Sequence, residues 1–419
     1  MTAQFCLFLA IMFVSNVAGA GYSMGASWAL GSPALPVWFP LANEFVAVSA
    51  ALLGAQIGAA VTRRFDYARA VVLCSALEGA SFVGGAVALA LAGRSDSDVV
   101  LPLAVIGVST LAAFFASVGA PAWTAMIYSW PDSDQSTDTR LMQESAVYQL
   151  AKSIGPLFGA FLLSTLAPAQ SLWVLALLNA FTFIFVSLYF VLLAHRTDFG
   201  SDTERKNTTP GDQSGVRGVF TKPLISLILI AMSFDASRTY LPRLARAAGL
   251  SELAVGVTLA AIAAGATLAG FFGGRVIYNL SPATRVRVGV GLLLVPLFGW
   301  WLATTPWVWM ACAAMGGVGL SLSNAAATSW HIRLRGLAGK ASAEIRIARV
   351  GSGTVGGALI AIALAFAVTG LLPPIVIGIS AVIVAFHRTS STGSDARKPQ
   401  DTTQGCPEKS RLSSSTDHT

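Results

Sequence analysis

The sequence predicts an all-α membrane protein with twelve transmembrane helices arranged in two six-helix bundles. Three observations support this: 54% of the 419 residues are hydrophobic, only 11% are charged, and the apolar residues form long uninterrupted runs. Soluble domains carry about 25% charged residues, so the solvent that suits this chain is lipid. Only helices and closed barrels satisfy backbone polar groups in hydrocarbon, and barrel strands need an alternation that these runs lack.

Twelve apolar runs have the length of about 20 residues that a helix needs to cross hydrocarbon. The predicted spans are 5–28, 37–61, 70–92, 99–123, 142–166, 171–194, 221–242, 251–274, 285–304, 306–330, 342–367 and 370–387. The first run lacks a basic n-region and continues to Trp28, so it is interpreted as a retained helix rather than a signal peptide. An even number of spans places both termini on one side of the membrane.

One polar interval, from His195 to Lys222, divides the apolar chain into two halves of similar length. It cannot bury enough apolar surface to fold alone, so it is predicted to be a mobile cytoplasmic connector. The predicted domains are an N-terminal bundle of residues 1–194, a central loop of 195–220, a C-terminal bundle of 221–388 and a disordered cytoplasmic tail of 389–419.

The distribution of basic residues predicts the orientation. With the N-terminus in the cytoplasm, 23 of the 27 Lys and Arg residues fall on the cytoplasmic side, and four fall outside: Arg94, Arg238, Arg243 and Arg246. Positive charge accumulates on the cytoplasmic side of membrane proteins, so both termini are predicted to be cytoplasmic, in a cell (inner) membrane.

Composition also narrows the classes of partner. The net charge of +7 comes from short turns rather than from one basic face, so no nucleic acid is expected. The four cysteines are scattered singly, without metal or redox spacing, and neither a metal nor a cofactor is expected. The lipid bilayer is the expected environment, and the protein is expected to be a monomer.

The two halves show a weak internal repeat. Short basic turns join the second span to the third, at Arg63–Arg69, and the eighth to the ninth, at Arg275–Arg287. Small residues interrupt the fifth span from Gly155 to Gly159, and the eleventh span from Gly351 to Gly356. Corresponding interruptions in two halves are typical of internally repeated transporters.

The chain resembles major facilitator superfamily transporters, in particular the branch of enterobactin-type siderophore exporters and macrolide efflux proteins. The resemblance covers nearly the whole chain before the tail, in both halves. It is carried, in order, by Ser15-Asn16, Trp28, Gly31-Ser32-Pro33, Arg64-Phe65-Asp66, Gly119-Ala120-Pro121-Ala122-Trp123, Gly155-Pro156-x-x-Gly159, Leu178-Asn179-Ala180 and Leu334-Arg335-Gly336.

The resemblance implies two gating motifs. Arg64 and Asp66 match the turn after the second span, and Gly155, Pro156 and Gly159 match the antiporter motif of the fifth. The chain departs from the family in two places. The turn begins Thr62-Arg63 where the family has Ala-Asp, so an acid that helps to close the cytoplasmic side is missing. The fourth span also lacks the buried Arg of many proton-coupled relatives.

Ionisable residues within the spans are the candidates for transport and coupling, since each costs roughly 2.5–3.5 kcal/mol at mid-bilayer. Asp235 lies about 20 Å from Lys222 along the seventh helix, and Arg238 follows at i+3, where the two side chains can pair. Glu78 lies about 14 Å past Arg69, near the midplane. Glu44 is expected at the outer surface, as a solvated charge.

Polar and aromatic residues on the presumed cavity helices are the candidates for contact with substrate: Tyr22, Asn16 and Tyr240. Close helix packing is the favoured interpretation of the Gly-rich stretch Gly351–Gly357, and a simple kink is the alternative for Gly155-Pro156. Most aromatic residues of the apolar runs are interpreted as core residues or interface anchors.

The expected function is the export of a small organic molecule, a siderophore in the first instance, by proton antiport with alternating access. A multidrug or macrolide efflux pump is the alternative. A membrane enzyme is disfavoured because no catalytic set clusters at one depth, and a receptor because no sizeable extramembrane domain is predicted.

Overall fold

The computed structural model describes residues 3–128, 137–194, 221–277, 280–335, 338–366 and 370–386. Within these ranges the chain forms twelve long helices and no strand, as predicted. They are α1 Ala3–Leu30, α2 Phe39–Arg64, α3 Tyr67–Ala92, α4 Val100–Tyr128, α5 Thr137–Thr165, α6 Pro168–Ala194, α7 Lys222–Ala247, α8 Glu252–Ile277, α9 Pro282–Leu302, α10 Pro306–Arg335, α11 Ala338–Ala365 and α12 Leu372–Phe386. The predicted connector (195–220) and tail (389–419) lie outside the described residues.

Each predicted span corresponds to one helix, with ends that differ by at most five residues. Nine of the described helices are long and apolar enough to cross a membrane. Three helices remain. The first, α5, begins with polar residues, the apolar part of α11 is the shorter stretch Gly351–Ala365, and α12 has only 15 residues. The prediction of an all-α membrane protein with twelve helices is therefore confirmed.

Local sequence explains where several helices begin. Asp66 precedes α3, and its carboxylate accepts a hydrogen bond from the Arg69 amide at 2.7 Å. Ser281 precedes α9, and its hydroxyl accepts one from the Thr284 amide at 3.2 Å. Such side chains satisfy amide groups that the first helical turn leaves without a partner.

The helices form two groups of six with matching neighbours. In the N-terminal half (α1–α6), α1 packs on α5, α2 on α4, and α3 on both α4 and α6. In the C-terminal half (α7–α12), α7 packs on α11, α8 on α10, and α9 on α10, while Gly378 of α12 lies against Leu294 and Leu297 of α9. Each pair in the first half thus recurs six helices later in the second.

Two helix pairs join the halves, α5 with α8 through an extensive contact and α2 with α11 through a smaller one. Further contacts join them at one end of the molecule, where α1 ends and α2 begins. We call this the α1–α2 end. Here the Arg243 guanidinium donates to the Leu35 carbonyl at 3.1 Å, and the Tyr240 hydroxyl donates to the Val37 carbonyl at 3.3 Å. The Arg246 guanidinium lies 3.8 Å from the centre of the Trp28 indole. The halves are therefore in contact at the α1–α2 end.

Candidate functional site

A central cavity of about 700 Å³ lies between the two halves. Both halves contribute to its lining, through α1, α2 and α5 on one side and α7, α8, α10 and α11 on the other. Its volume falls in the range of small-molecule sites, about 300–1,000 Å³. Five of the described residues that line it are charged: Glu44, Lys152, Asp235, Arg238 and Arg349.

An ion pair between α7 and α11 lies on the C-terminal side of this cavity. The Arg349 guanidinium donates to the Asp235 carboxylate at 3.0 Å, and the two side chains are 34% and 27% exposed. We expected Asp235 to pair with Arg238. The structure corrects this expectation, because the Asp235 carboxylate pairs with Arg349 of the neighbouring helix α11. Arg238 does lie on the cavity side of α7, as its i+3 spacing predicted.

The backbone of α7 is irregular just before Asp235. Residues Ala231–Asp235 form a π-helical turn, which takes up one residue more than an α-helical turn. At this turn α11 comes so close that a Cβ added to Gly356 would collide with the Met232 carbonyl. The extra residue of the π turn changes which of the following side chains of α7 face α11. Asp235, the last residue of the turn, forms the ion pair with Arg349 of α11.

Glu44 on α2 connects the halves at the wall of the cavity. Its carboxylate accepts a hydrogen bond from the Thr239 hydroxyl of α7 at 2.8 Å. Glu44 also lines two further cavities, one of about 470 Å³ in the N-terminal half and one of about 450 Å³ beside the Asp235–Arg349 pair. Glu44 is exposed, as expected of a solvated charge, but it lies where three cavities meet rather than at the outer surface.

The cavity of the N-terminal half contains three of the predicted site residues. Asn16, Tyr22 and Glu78 all line it, with Asn179 of α6. The Glu78 side chain is 9% exposed, and the Asn16 amide donates to the Met12 carbonyl at 2.8 Å. The structure therefore brings Glu78 together with Asn16 and Tyr22, but in a cavity other than the one that contains Asp235.

Tyr240 is placed differently from the expectation. Its side chain is fully buried, and it lines none of the three cavities. The hydroxyl is held by the Val37 carbonyl at the α1–α2 end, so Tyr240 belongs to the contact between the halves. Direct contact of Tyr240 with a molecule in the central cavity is not possible in this arrangement.

The antiporter-motif residues lie where α5 packs between α1 and α8. A Cβ on Gly159 would collide with the Gly21 carbonyl of α1, and one on Gly155 with Ala20. Pro156 lines the central cavity, and its carbonyl lies 2.8 Å from where a Cβ on Gly256 of α8 would stand. The motif thus permits close approach of three helices beside the cavity.

The other motif lies at the start of α3. The Asp66 carboxylate makes two contacts with Arg69. It forms an ion pair with the guanidinium at 3.0 Å and accepts the hydrogen bond from the backbone amide. Arg64 is exposed at the end of α2. In this arrangement Asp66 stabilises the first turn of a helix.

Sequence reasoning missed the roles of Arg349 and Lys152. Both were assigned to cytoplasmic turns, although each lies several residues inside a predicted span. That depth was the signal that could have identified them. The structure places both on the wall of the central cavity. Among the described residues, no group of three or more His, Cys, Asp and Glu side chains could hold a metal ion.

Comparison with solved structures shows the same fold. A bacterial homologue of the iron transporter ferroportin in an inward-facing state matches with a TM-score of 0.67 and 14% identity, over 92% of this chain and 98% of that one. The nucleoside transporter NupG matches with a TM-score of 0.66 and 10% identity, over the same shares. A bacterial metal transporter matches with a TM-score of 0.64 and 13% identity, again over the same shares.

No curated protein matches the sequence. A family profile described as Major Facilitator Superfamily, however, matches residues 1–357, most of the chain. That match agrees with the twelve helices and with the cavity between two halves. The chain therefore belongs to the Major Facilitator Superfamily, as a multi-pass membrane transporter rather than an enzyme.

Proposed function

We propose that the protein exports a small organic molecule in exchange for protons, by alternating access of the central cavity. The observation that carries this proposal is the cavity itself, which is lined by both halves and holds the Asp235–Arg349 ion pair on its wall. A site shared by two halves changes shape when one half rocks against the other. The two states are then distinguished by the contacts that each half makes with the bound molecule.

The Asp235–Arg349 pair is the proposed coupling site. Arg349 donates a hydrogen bond to the Asp235 carboxylate and holds α7 to α11, and this charge attraction is absent when the carboxyl group is neutral. A proton that binds when α7 and α11 separate, and leaves when they approach, couples proton movement to the conformational cycle. Glu44 is part of the same network, since its hydrogen bond to Thr239 joins α2 to the turn of α7 that follows Asp235.

Glu78 is the second candidate for coupling. Its side chain is buried in the cavity of the N-terminal half, and in the described chain it has neither a hydrogen bond nor an ion pair. Asn16 and Tyr22, which line that cavity with it, are proposed as polar contacts of a molecule that extends from the central cavity. Asp235 remains the first candidate because, unlike Glu78, it forms an ion pair with a residue of a neighbouring helix.

The proposed orientation has both termini in the cytoplasm of the cell (inner) membrane. Lys152, Arg238 and Arg349 line the central cavity and do not report on orientation. Without these three residues the asymmetry is still 21 against three. The α1–α2 end then faces outward, and the contact of the halves there corresponds to an inward-facing state. We propose that the protein acts as a monomer, with the gating motifs at Arg64–Asp66 and Gly155–Gly159 supporting the exchange between states.

The proposed cargo is a siderophore, on the strength of the resemblance to siderophore exporters. A multidrug or macrolide efflux pump remains the alternative within the same mechanism. Everted membrane vesicles, acidified inside, distinguish the two when a catecholate siderophore, a hydroxamate siderophore and a macrolide are offered separately. Proton-driven accumulation of a siderophore is expected. Accumulation of the macrolide alone supports the alternative, and accumulation that does not depend on the pH gradient contradicts proton antiport.

A further inference from the structure

Among the described residues on the wall of the central cavity, the charges do not cancel. Its five charged side chains comprise three basic and two acidic groups, Lys152, Arg238 and Arg349 against Glu44 and Asp235. Arg349 and Asp235 neutralise each other in their ion pair. Two cations, Lys152 and Arg238, then stand against the single anion Glu44, which is already hydrogen-bonded to Thr239.

Arg238 lies within electrostatic range of Glu44, but neither remaining cation forms a close ion pair with a described carboxylate. The Nε atom of Arg238 is buried and has no hydrogen-bond acceptor. The ammonium group of Lys152 lies 5.3 Å from the centre of the Tyr148 ring, a cation–π contact that leaves its N–H groups available. Buried polar groups normally have partners, and a charged donor without one marks a place where an acceptor binds.

The two cations come from opposite halves of the protein. Lys152 lies on α5 of the N-terminal half, and Arg238 on α7 of the C-terminal half. An acidic group that contacts both makes charge-assisted hydrogen bonds to each half at once. Tyr148, which lines the same cavity, offers an aromatic surface next to Lys152.

We propose that the substrate is an organic anion whose carboxylate binds between Arg238 and Lys152, with an apolar or aromatic part against Tyr148. This inference rests on the proposal that the central cavity is the transport site, and it narrows the substrate to acidic molecules. Neutral and cationic molecules of the same size leave the two cations unpartnered and bind more weakly.

The test is calorimetric binding to the purified full-length protein in detergent. The probes are 2,3-dihydroxybenzoate, the neutral 2,3-dihydroxybenzamide of the same shape, the cation dopamine, and inorganic phosphate. The benzoate is expected to bind about tenfold more tightly than the amide, since a charged hydrogen bond is roughly twice as strong as a neutral one. Arg238→Gln and Lys152→Met should each remove that preference. Arg94→Gln changes an exposed arginine outside the cavity and should retain it.

Several binding results would contradict the proposal. Equal affinity for the benzoate and the amide, tighter binding of dopamine, or no binding of any probe overturns it. Binding of phosphate as tight as that of the benzoate shows a site for inorganic anions and overturns the organic part. If the unaltered protein prefers the benzoate but shows no proton-driven transport, the proposed function is refuted while the anion site stands. Failure of the proposed function can therefore be distinguished from failure of the anion-site proposal.

Discussion

Asp235 and Arg349 are each about one-third exposed or less, within helices that cross the membrane. Neither charge is stable alone in such a place. Replacement of one member of a buried pair costs about 3–5 kcal/mol where the remaining charge has no other partner, and less where water reaches it. Since both side chains border the cavity, we expect water to reduce that cost, so that single substitutions change transport more than folding.

The variant Asp235→Asn is expected to reach the membrane in normal amount but to lose proton-driven export. The amide keeps the size of the side chain and can accept a hydrogen bond from Arg349, but it cannot take up a proton. The measurement is transport by everted vesicles under an imposed pH gradient, with protein amount determined by immunoblotting. Transport at the parent rate would show that the pair is structural.

Glu78→Gln is the matched control, because it removes a buried carboxylate from the other cavity with the same isosteric change. We expect a smaller loss of export than for Asp235→Asn. Arg238→Ala should impair transport under the same conditions, as a wall residue of the central cavity. If Glu78→Gln abolishes export while Asp235→Asn does not, the coupling site lies in the N-terminal half.

At the residue scale, the sequence identified several of the side chains that line cavities. It did not identify the residue that forms an ion pair with Asp235. Asp235, Arg238 and Glu78 could be identified because charges inside apolar runs are costly and therefore informative. Arg349 could not be recognised as the partner of Asp235, since 114 residues separate them and only the packing of α7 on α11 brings them together. Local spacing offered Arg238 instead.

At the scale of single helices, the close contact of α5 with α1 gives the motif Gly155-Pro156-x-x-Gly159 a physical meaning. Without a hydrophobic drive between helices in lipid, close backbone approach supplies the packing energy. Gly159 lies directly against the Gly21 backbone, where no side chain fits. The packing interpretation of the small residues thus has direct support, and the proposed gating role acts through the same contact.

Gly159→Val is expected to destabilise the protein by about 1–3 kcal/mol or more, as overpacking of a close contact does. Thermal unfolding of the purified protein in detergent measures the effect. Gly107→Val is the control, since a Cβ on Gly107 meets no atom within 4 Å. Equal unfolding temperatures for the two variants would contradict the importance of the α1–α5 contact.

The positions of the helices were predictable, and their ends less so. Apolar runs mark the part of each helix that lies in hydrocarbon, while the helices continue a few residues into polar surroundings. The end of α4 extends five residues beyond the predicted span, and α5 begins five residues before its span. The residues added to α5, 137–141, are mostly polar and do not contribute to the apolar signal. Those added to α4, 124–128, are mostly apolar, so there the predicted span ended too early.

For the whole molecule, the internal repeat suggested by the two small-residue interruptions agrees with the packing of the helices. The contact of α1 with α5 corresponds to that of α7 with α11, and the glycines of both motifs lie on the second member of each pair. The sequence could show that the halves are related. It could not show that they meet at the α1–α2 end, because the contacts there involve backbone carbonyls that any residue type supplies.

The orientation of the whole chain is tested by reporter fusions. A reporter after Arg388 should be active only as a cytoplasmic protein, and one near Asp96 only as an external one, because basic residues favour the cytoplasmic side. Alkaline phosphatase and green fluorescent protein fusions at both positions provide the measurement. Phosphatase activity at the Arg388 fusion would overturn the proposed topology.

The contact of the halves at the α1–α2 end has to open if the cavity is to release its cargo on that side. Gly31 and Pro242 allow a direct test, since a Cβ on Gly31 would lie 3.1 Å from the Pro242 Cβ across the contact. Disulfides require a Cβ separation of about 3.5–4.5 Å, so a shift of a few tenths of an ångström suffices. The double variant Gly31→Cys/Pro242→Cys is made in a background from which Cys6, Cys74, Cys312 and Cys406 have been removed.

Oxidation of this double variant is expected to abolish transport, and reduction to restore it, because the disulfide holds the α1–α2 end closed while the helices remain folded. Each single cysteine variant should transport equally well before and after oxidation, which controls for damage by the oxidant. The extent of cross-linking is measured by the mobility of the protein after cleavage in the 195–220 segment, since only the disulfide then keeps the halves together. Transport by the fully cross-linked protein at the rate of its reduced form would show that this end does not open, and alternating access through it would have to be abandoned.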